Sequence, residues 1–372
     1  LHGFNQLYFS KVVTTRLTTQ IHVNLCSKTT LCKHILDTYD SVPAYYNCEI
    51  QSIKDALDTK EPSQLRKFVG NYKVIVLDEA QNIPDIGAIL KLLIDTYPDL
   101  QIIATGSSSF ELANATGEAL TGRAVQITMY PVSWSELSSV YNAFERQALL
   151  PKVLQYGLYP DIVTRSDDEA RKLLSELSNR YLYKDIFEFE NVRRSDLIHK
   201  LLQMLAYQIG SEVKVNELAG ALGINRRTVE RYIDLLEKTF VIFRLPSFSR
   251  NLRKEINKGF KIYFCDLGIR NSIIQQFQPI DIRNDKGGLW ENFLVCERMK
   301  YLEDHNLTPS QYFWRTHDQQ ELDYLEEYNG QLSGYEFKWK IKKKKSPKAF
   351  VKAYPNATVD FIDTGNFEDW VE

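Results

Sequence analysis

Several short groups of side chains in this chain are of the types that handle phosphate and divalent cations. Ser27-Lys28-Thr29 offers an ammonium flanked by hydroxyls, and Asp78-Glu79 is a pair of adjacent carboxylates. Arg226, Arg227 and Arg231 are closely spaced guanidinium groups, and Asp323 is followed by Glu336-x-Lys338. A lysine and a hydroxyl after a tight turn can neutralise the β- and γ-phosphates of a nucleotide and ligate Mg²⁺. A carboxylate on another strand can hold the same ion, and its neighbour can orient an attacking water. Carboxylates interleaved with a lysine can hold hard divalent cations and activate water against a phosphodiester. Arginines at the start of a helix meet phosphates and base edges.

The elements that must position these groups are legible from apolar periodicity. "VIVL" (74–77) has four aliphatic residues without alternation, the pattern of a strand buried on both faces, and it runs into Asp78 and Glu79. A carboxylate pair at the end of a buried strand is costly without partners. "DIGAILKLLID" (85–95) is an amphipathic helix, and "LQIIATGSSS" (100–109) is a second buried strand ending in small polar residues. Strand, helix, strand at this spacing is a unit of a parallel sheet. Such sheets bind ligands at the carboxyl ends of their strands, where Asp78, Glu79, Thr105 and Ser107 fall.

The segment before Lys28 lacks the glycines of a phosphate loop. Counting G-x-x-x-x-G-K-T back from Lys28 sets His22 and Ser27 at the glycine positions, where positive φ and close backbone approach are needed. With "QIHVNL" as the first strand, Cys26 and Ser27 alone separate it from Lys28. Taken alone, "SKTTL" also suits a plain helix start with Ser27 as N-cap.

Residues 133–210 read mostly as helix with many aromatics. In 213–245, "NELAGAL" is a short helix, Gly223 a turn, "NRRTVERYIDLLEKT" a second helix capped by Asn225, and "FVIFRL" a strand. That order is a helix-turn-helix with a wing. Glu230 and Asp234 interrupt its basic face, so a packing module is the competing interpretation. Further on, "KIYFCDLGIR" is a strand running into a helix start, and "GGLWENFLVCERMKYLED" is a helix carrying Glu291. "QYFWRT", "ELDYLEEY" and "GYEFKWKI" alternate at period two, with "NGQLSG" as a turn. Period two sets Glu336 and Lys338 on one face, with Asp323 on the preceding strand of the hairpin. The same spacing also occurs on ordinary exposed strands. The lysine run "KWKIKKKKSPK" would attract a phosphate backbone, or be a solvated loop. His317 is a turn residue near the carboxylates.

A net charge of −2 over 372 residues excludes a general polycation, so any nucleic-acid surface is a local patch. Cys26, Cys32, Cys48, Cys265 and Cys296 form no CxxC pair, which fits a reducing cytoplasm rather than a disulfide framework or a zinc site. No apolar run approaches the roughly 20 residues of a membrane span, and no signal peptide is visible. The first residue is Leu rather than Met, as in a fragment or a displaced start.

"SKTTLCKHIL", "YYNCE" (45–49), "VIVLDEAQNIPDIGAILKLLID", "IIATGSSSFEL" and "GRAVQITMYPVSWSEL" together resemble a family of bacterial and archaeal AAA-type ATPases. Members carry a C-terminal domain of unknown function related to the PD-(D/E)xK nuclease fold. The resemblance implies an α/β chain: a parallel-sheet P-loop NTPase domain (1–140), a helical lid or connector (141–210), a winged helix-turn-helix (211–250) and a nuclease-like α/β domain (251–372). It implies ATP and Mg²⁺ as cofactors, with Ser27, Lys28 and Thr29 on the phosphates and Thr29 and Asp78 on Mg²⁺. Glu79 would orient water, and Thr105 and Ser107 would lie in a sensor strand. Arg123 would face the nucleotide of a neighbouring subunit in a homo-oligomer. In the C-terminal domain the D…E-x-K spacing matches the nuclease pattern that the resemblance suggests, with Asp323, Glu336 and Lys338 as catalytic groups and Glu291, Asp323 and Glu336 on a metal. The family fills the loop before Lys28 with a glycine-containing run, and this chain does not. Three functional classes are compatible with these residues: an ATP-binding protein whose nucleotide state controls DNA or protein contacts of the C-terminal half, a DNA-binding or metal-dependent DNA-cleaving protein on an ATPase scaffold, and a catalytically inactive interaction protein.

Overall fold

The computed structural model describes all residues except 1–17, 23–27, 38–43, 60, 107–119, 121–123, 182–194, 250–258, 317, 319 and 343–345. The described residues divide into two compact units, one running to Tyr130 with Lys238–Phe240, the other comprising Pro131–Glu237 and Val241–Glu372. Apart from Lys238–Phe240, the described residues assigned above to connector, helix-turn-helix and C-terminal domain fall in the second unit.

The first unit is built on five parallel strands: β1 (Thr18–His22), β2 (Ala44–Asn47), β3 (Val74–Asp78), β4 (Gln101–Gly106) and β5 (Ala124–Thr128). Their order across the sheet is β2-β3-β4-β1-β5. Around it lie α1 (Lys28–Leu36), α2 (Gln51–Leu57), α3 (Pro62–Val69) and α4 (Ile86–Thr96). The expected strand-helix-strand unit is β3, α4 and β4, with β3 and β4 paired in parallel. β3 is buried at every position, as a strand covered on both faces must be. Helix α4 buries Ile86, Ile89, Leu90 and Leu93, the spacing of one helical stripe, against a core that includes Ile75, Leu77 and Ile102.

Among the described residues β1 spans Thr18–His22 and α1 begins at Lys28. The rest of the expected first strand, residues 23–25, and Cys26 and Ser27 after it lie outside the described residues.

The second unit opens with helices α5 (Trp134–Leu137), α6 (Ala143–Tyr156), α7 (Pro160–Val163), α8 (Asp167–Glu176) and α9 (Ser195–Tyr207). Strand β6 (Glu212–Val213), helices α10 (Val215–Leu222) and α11 (Arg226–Lys238), and strands β7 (Ile242–Pro246) and β8 (Phe260–Phe264) follow. These strands form an antiparallel sheet of order β6-β8-β7. Gly223 closes α10 in the left-handed region at φ 66, a conformation that favours glycine. The Asn225 side chain accepts the Thr228 N–H at 2.8 Å, which is the N-cap read from sequence.

Helices α12 (Leu267–Ile273) and α13 (Lys286–Asp304) lead to a four-stranded sheet of β9 (Ser310–Arg315), β10 (Glu321–Tyr328), β11 (Gln331–Phe337) and β12 (Thr358–Ile362), in the order β12-β11-β10-β9. The turn between β10 and β11 is Asn329-Gly330 alone, both at positive φ (51 and 78). "QLSG" belongs to β11 and not to the turn, because Asn-Gly suffices for a two-residue hairpin. β11 stops at Phe337, so Lys338 follows the strand, with its N–H donating to the Ile362 carbonyl at 3.0 Å.

Candidate functional site

The carboxyl edge of the parallel sheet gathers three of the expected residues. Asp78 ends β3 and is 4% exposed, and Thr105 on adjacent β4 is fully buried. The Thr105 hydroxyl donates to Asp78 Oδ1 at 2.5 Å and accepts the Glu79 backbone N–H at 3.2 Å. The Tyr45 hydroxyl, from β2 on the other side of β3, donates to Asp78 Oδ2. Each carboxylate oxygen of Asp78 thus has a hydroxyl donor from a flanking strand, which offsets the cost of burying the charge.

Glu79 adopts φ 56, ψ 45, a left-handed conformation that is uncommon outside glycine. It is held there by Thr105, by Asn82 Nδ2 donating to its carbonyl at 3.0 Å, and by Gln81 Nε2 donating to its Oε2 at 2.6 Å. Burial, with the charges of Asp78 and Glu79 added, pushes the Cys48 thiol up to about 12, so it is no nucleophile near neutral pH.

Lys28 and Thr29 open α1, the helix that follows β1, and β1 pairs with β4 so that Ile21 lies opposite Thr105. Positions of the Lys28 and Thr29 side chains are not described, and Ser27, Ser107 and Arg123 lie outside the described residues. Tyr45 was missed in the sequence: an edge-strand tyrosine gives no periodic signal of what its hydroxyl meets.

A second cluster lies in the second unit. The β10–β11 register pairs Tyr324 with Tyr335, and its continuation sets Asp323 opposite Glu336. Asp323 Oδ2 accepts the Phe337 N–H at 2.7 Å, and Lys338 Nζ donates to Glu336 Oε1 at 2.5 Å. Asp323, Glu336 and Lys338 therefore converge as the hairpin spacing requires. Burial raises the carboxyls of both Asp323 and Glu336, and each also raises with its acidic neighbours. Glu336 Oε2 is buried without a hydrogen-bond partner.

Glu291, expected as a further metal ligand, is engaged elsewhere. Its Oε1 accepts from Lys261 Nζ at 2.8 Å and from the Tyr263 hydroxyl at 2.6 Å. Lys261 is 1% exposed and also pairs with Glu321 at 2.6 Å. Burial alone would lower the Lys261 pKa, but the charges of Glu291, Asp323 and Glu321 outweigh it and raise the pKa above the ordinary lysine value. Burial pushes Glu291 up to about 7, against the pull of Lys261. Among the described residues no group of three or more His, Cys, Asp or Glu could hold a metal ion. The donor set implied for Mg²⁺ in this domain, Glu291 with Asp323 and Glu336, does not fit the ion, because an ammonium already stands among the acids. Lys261 was missed although a signal existed: "KIYF" is an apolar strand, and a lysine inside one needs an acidic partner.

On α11, Arg226, Arg227 and Arg231 are all exposed. Arg226 Nε donates to Glu230 at 2.9 Å, and Arg231 lies 5.5 Å from the centre of the Tyr232 ring. Arg227 and Arg231 lie on the helix's outer side, opposite buried Val229, Ile233 and Leu236, whereas Arg226, in the first turn, stands beside that buried stripe. Among the described residues no helix is long and apolar enough to cross a membrane.

Residues 25–138 match the AAA domain. Behind this AAA segment, residues 147–279 match a domain of unknown function, DUF8612, and residues 286–366 match another, DUF4143. An uncharacterized protein of Mycobacterium tuberculosis is 27% identical over 268 residues, which is 71% of this chain and 58% of that protein. One from Haemophilus influenzae is 24% identical over 61% of this chain and 59% of its own length. One from Methanocaldococcus jannaschii is 26% identical over 61% of this chain and 55% of its own length. The chain thus spans well under two thirds of the curated relatives it matches. Among solved structures, the Aeropyrum pernix ORC1 protein in complex with DNA aligns at 12% identity over 72% of this chain and 90% of that chain, with a TM-score of 0.35. That score is too low to carry fold or function from one protein to the other.

Proposed function

We propose that the first unit binds ATP with Mg²⁺ at the carboxyl edge of its parallel sheet, and that the nucleotide state governs DNA or protein contacts made by the second unit. The observation that carries this is the strand order: β4, with Thr105 at its end, lies between β1, which feeds Lys28, and β3, which ends in Asp78. A lysine at a helix N-terminus and a buried carboxylate are then set on either side of a hydroxyl-bearing strand, where backbone N–H groups and the helix dipole favour phosphate. The match of residues 25–138 to the AAA domain supports the same reading. Thr29 and Asp78 would hold Mg²⁺, which would neutralise phosphate charge, and Glu79 would orient water. Ser27, Ser107 and Arg123 keep the phosphate, sensor and subunit-facing roles implied by the resemblance. Calorimetric titration of the full chain with Mg-ATP tests this. Binding that is lost in Lys28→Ala is expected; no binding at millimolar ATP refutes it.

For the second unit we favour contact with nucleic acid through a winged helix-turn-helix. The order α9, β6, α10, α11, β7, β8, with β8 central in its sheet, is what supports that reading. It leaves the N-terminal half of α11 with Arg226, Arg227 and Arg231 exposed, the part of such a helix that meets phosphates and base edges. Exposed Lys338, Lys340 and Lys342 add a further attraction for phosphate.

A further inference from the structure

Lys261 has no role in the nucleotide site, and no strand-spacing rule placed it near the acids. Its ammonium has three N–H donors and no acceptor. Those donors face Glu291 at 2.8 Å and Glu321 at 2.6 Å, with the Phe313 ring 5.4 Å from the nitrogen. The Lys261 side chain is 2% exposed, so these contacts are not a surface accident. Two residues along β8, on the same face, Tyr263 is fully buried and its hydroxyl is given to the same Glu291 oxygen. The other Glu291 oxygen lies where a Cβ at Gly210 would come within 3.1 Å of it, so the glycine leaves it room. Glu321 is faced on its second oxygen by Arg315 at 3.7 Å. Asp323 Oδ2 is occupied by the Phe337 N–H and Glu336 Oε1 by Lys338, while Glu336 Oε2 is buried without a hydrogen-bond partner. The acids of the basin are therefore Glu291, Glu321, Asp323 and Glu336, and its fixed cations are Lys261, Lys338 and Arg315.

We propose that the Lys261 ammonium is a built-in cation for this basin, standing where a divalent metal would otherwise be held, so that the C-terminal sheet takes no catalytic metal. A hard cation gathers several carboxylate oxygens at about 2.0–2.6 Å. Here two of those oxygens, from Glu291 and Glu321, have gathered around a nitrogen that cannot leave, and a divalent ion would have to enter beside a positive charge already in place. On this basis the second unit acts by contact rather than by metal-dependent cleavage. The inference does not depend on nucleotide binding by the first unit.

The test is Mn²⁺ titration of the full chain without nucleotide, read by the resonance signal of free Mn²⁺ and by the unfolding midpoint. Wild type and Asp323→Asn should give the same isotherm, so that any weak binding at Asp78 cancels, and millimolar Mn²⁺ should not raise the wild-type midpoint relative to EDTA. Lys261→Met, which keeps most of the side-chain volume, should gain Mn²⁺ affinity by roughly tenfold or more, and the double variant with Asp323→Asn should lose that gain. Wild-type Mn²⁺ binding that disappears in Asp323→Asn overturns the proposal. So does a folded Lys261→Met that gains no affinity. Should Lys261→Met fail to fold, the comparison of wild type with Asp323→Asn decides alone.

Discussion

Thr105→Val removes one hydroxyl and almost no volume, and it tests whether the edge of the parallel sheet is a single polar unit. The Thr105 side chain is fully buried. Its hydroxyl donates to Asp78 Oδ1 and accepts the Glu79 N–H. A hydrogen bond to a charged group contributes about 1.5–3 kcal/mol. Taking the Thr105 acceptor from the Glu79 N–H adds about 1 kcal/mol more. Valine replaces the methyl and fills the hydroxyl's place, so no cavity cost enters. The expected loss is therefore about 3 kcal/mol in the first unit, with Thr105→Ser recovering most of it because serine keeps the hydroxyl. Chemical denaturation followed by a probe within the first unit measures this, since a chain of two compact units has no single unfolding free energy. Because Glu79 is held in its left-handed turn partly by Thr105, the same substitution should weaken Mg-ATP binding if the proposed site is right. A Thr105→Val variant within about 0.5 kcal/mol of wild type would refute the reasoning, showing that the Asp78 carboxylate does not depend on this donor.

Three further outcomes are expected. Burial would raise the Asp285 carboxyl, but hydrogen bonds and charge from Arg283 and Arg270 outweigh it and hold its pKa down to about 2, against an ordinary 3.8. Its contribution is therefore complete above about pH 4 and is lost as pH falls toward 2. Asp285→Asn should cost about 3 kcal/mol near neutral pH, because Arg270 and Arg283 are left buried without their shared anion, and the gap to wild type should narrow by roughly 2 kcal/mol in acid. A gap that stays constant down to pH 2 contradicts this. Gly157 sits at φ +79 and a Cβ there would run into the Asp266 carboxylate, which accepts the Leu158 N–H at 2.7 Å. Gly157→Ala should lower the second unit's stability by about 2 kcal/mol or more, and an unchanged midpoint would mean the backbone relaxes freely. Finally, each of Arg226→Ala, Arg227→Ala and Arg231→Ala should reduce the salt slope of duplex binding by about 1 if that side chain meets a phosphate. Fluorescence anisotropy at several salt concentrations reads this, and a triple variant with the wild-type slope removes α11 from the interface.

What the sequence determined by itself was local. The buried strands β3 and β4, the stripe of α4, and the Asn225 cap and the Gly223 turn of the 213–245 segment all follow from side-chain period or turn chemistry within a few residues; a turn after β10 was legible too, though it was read as "NGQLSG" rather than as Asn329-Gly330 alone. The facing of Asp323, Glu336 and Lys338 was legible for the same reason, because a tight hairpin fixes register. Only the tertiary structure decided what depends on distant strands. The insertion of β4 between β1 and β3 is a crossover topology with no local signature, and it is what sets the end of β1 beside Thr105; the β3–β4 pairing that brings Thr105 onto Asp78 is the strand-helix-strand unit legible in sequence. Tyr45 reaches the same carboxylate from a third strand. Lys261 lies 30 residues before Glu291, and sequence alone could say that a lysine in an apolar strand needs an acid, but not which one. An ion pair is chosen by packing between elements, and that choice turned Glu291 from an expected metal ligand into the partner of an ammonium.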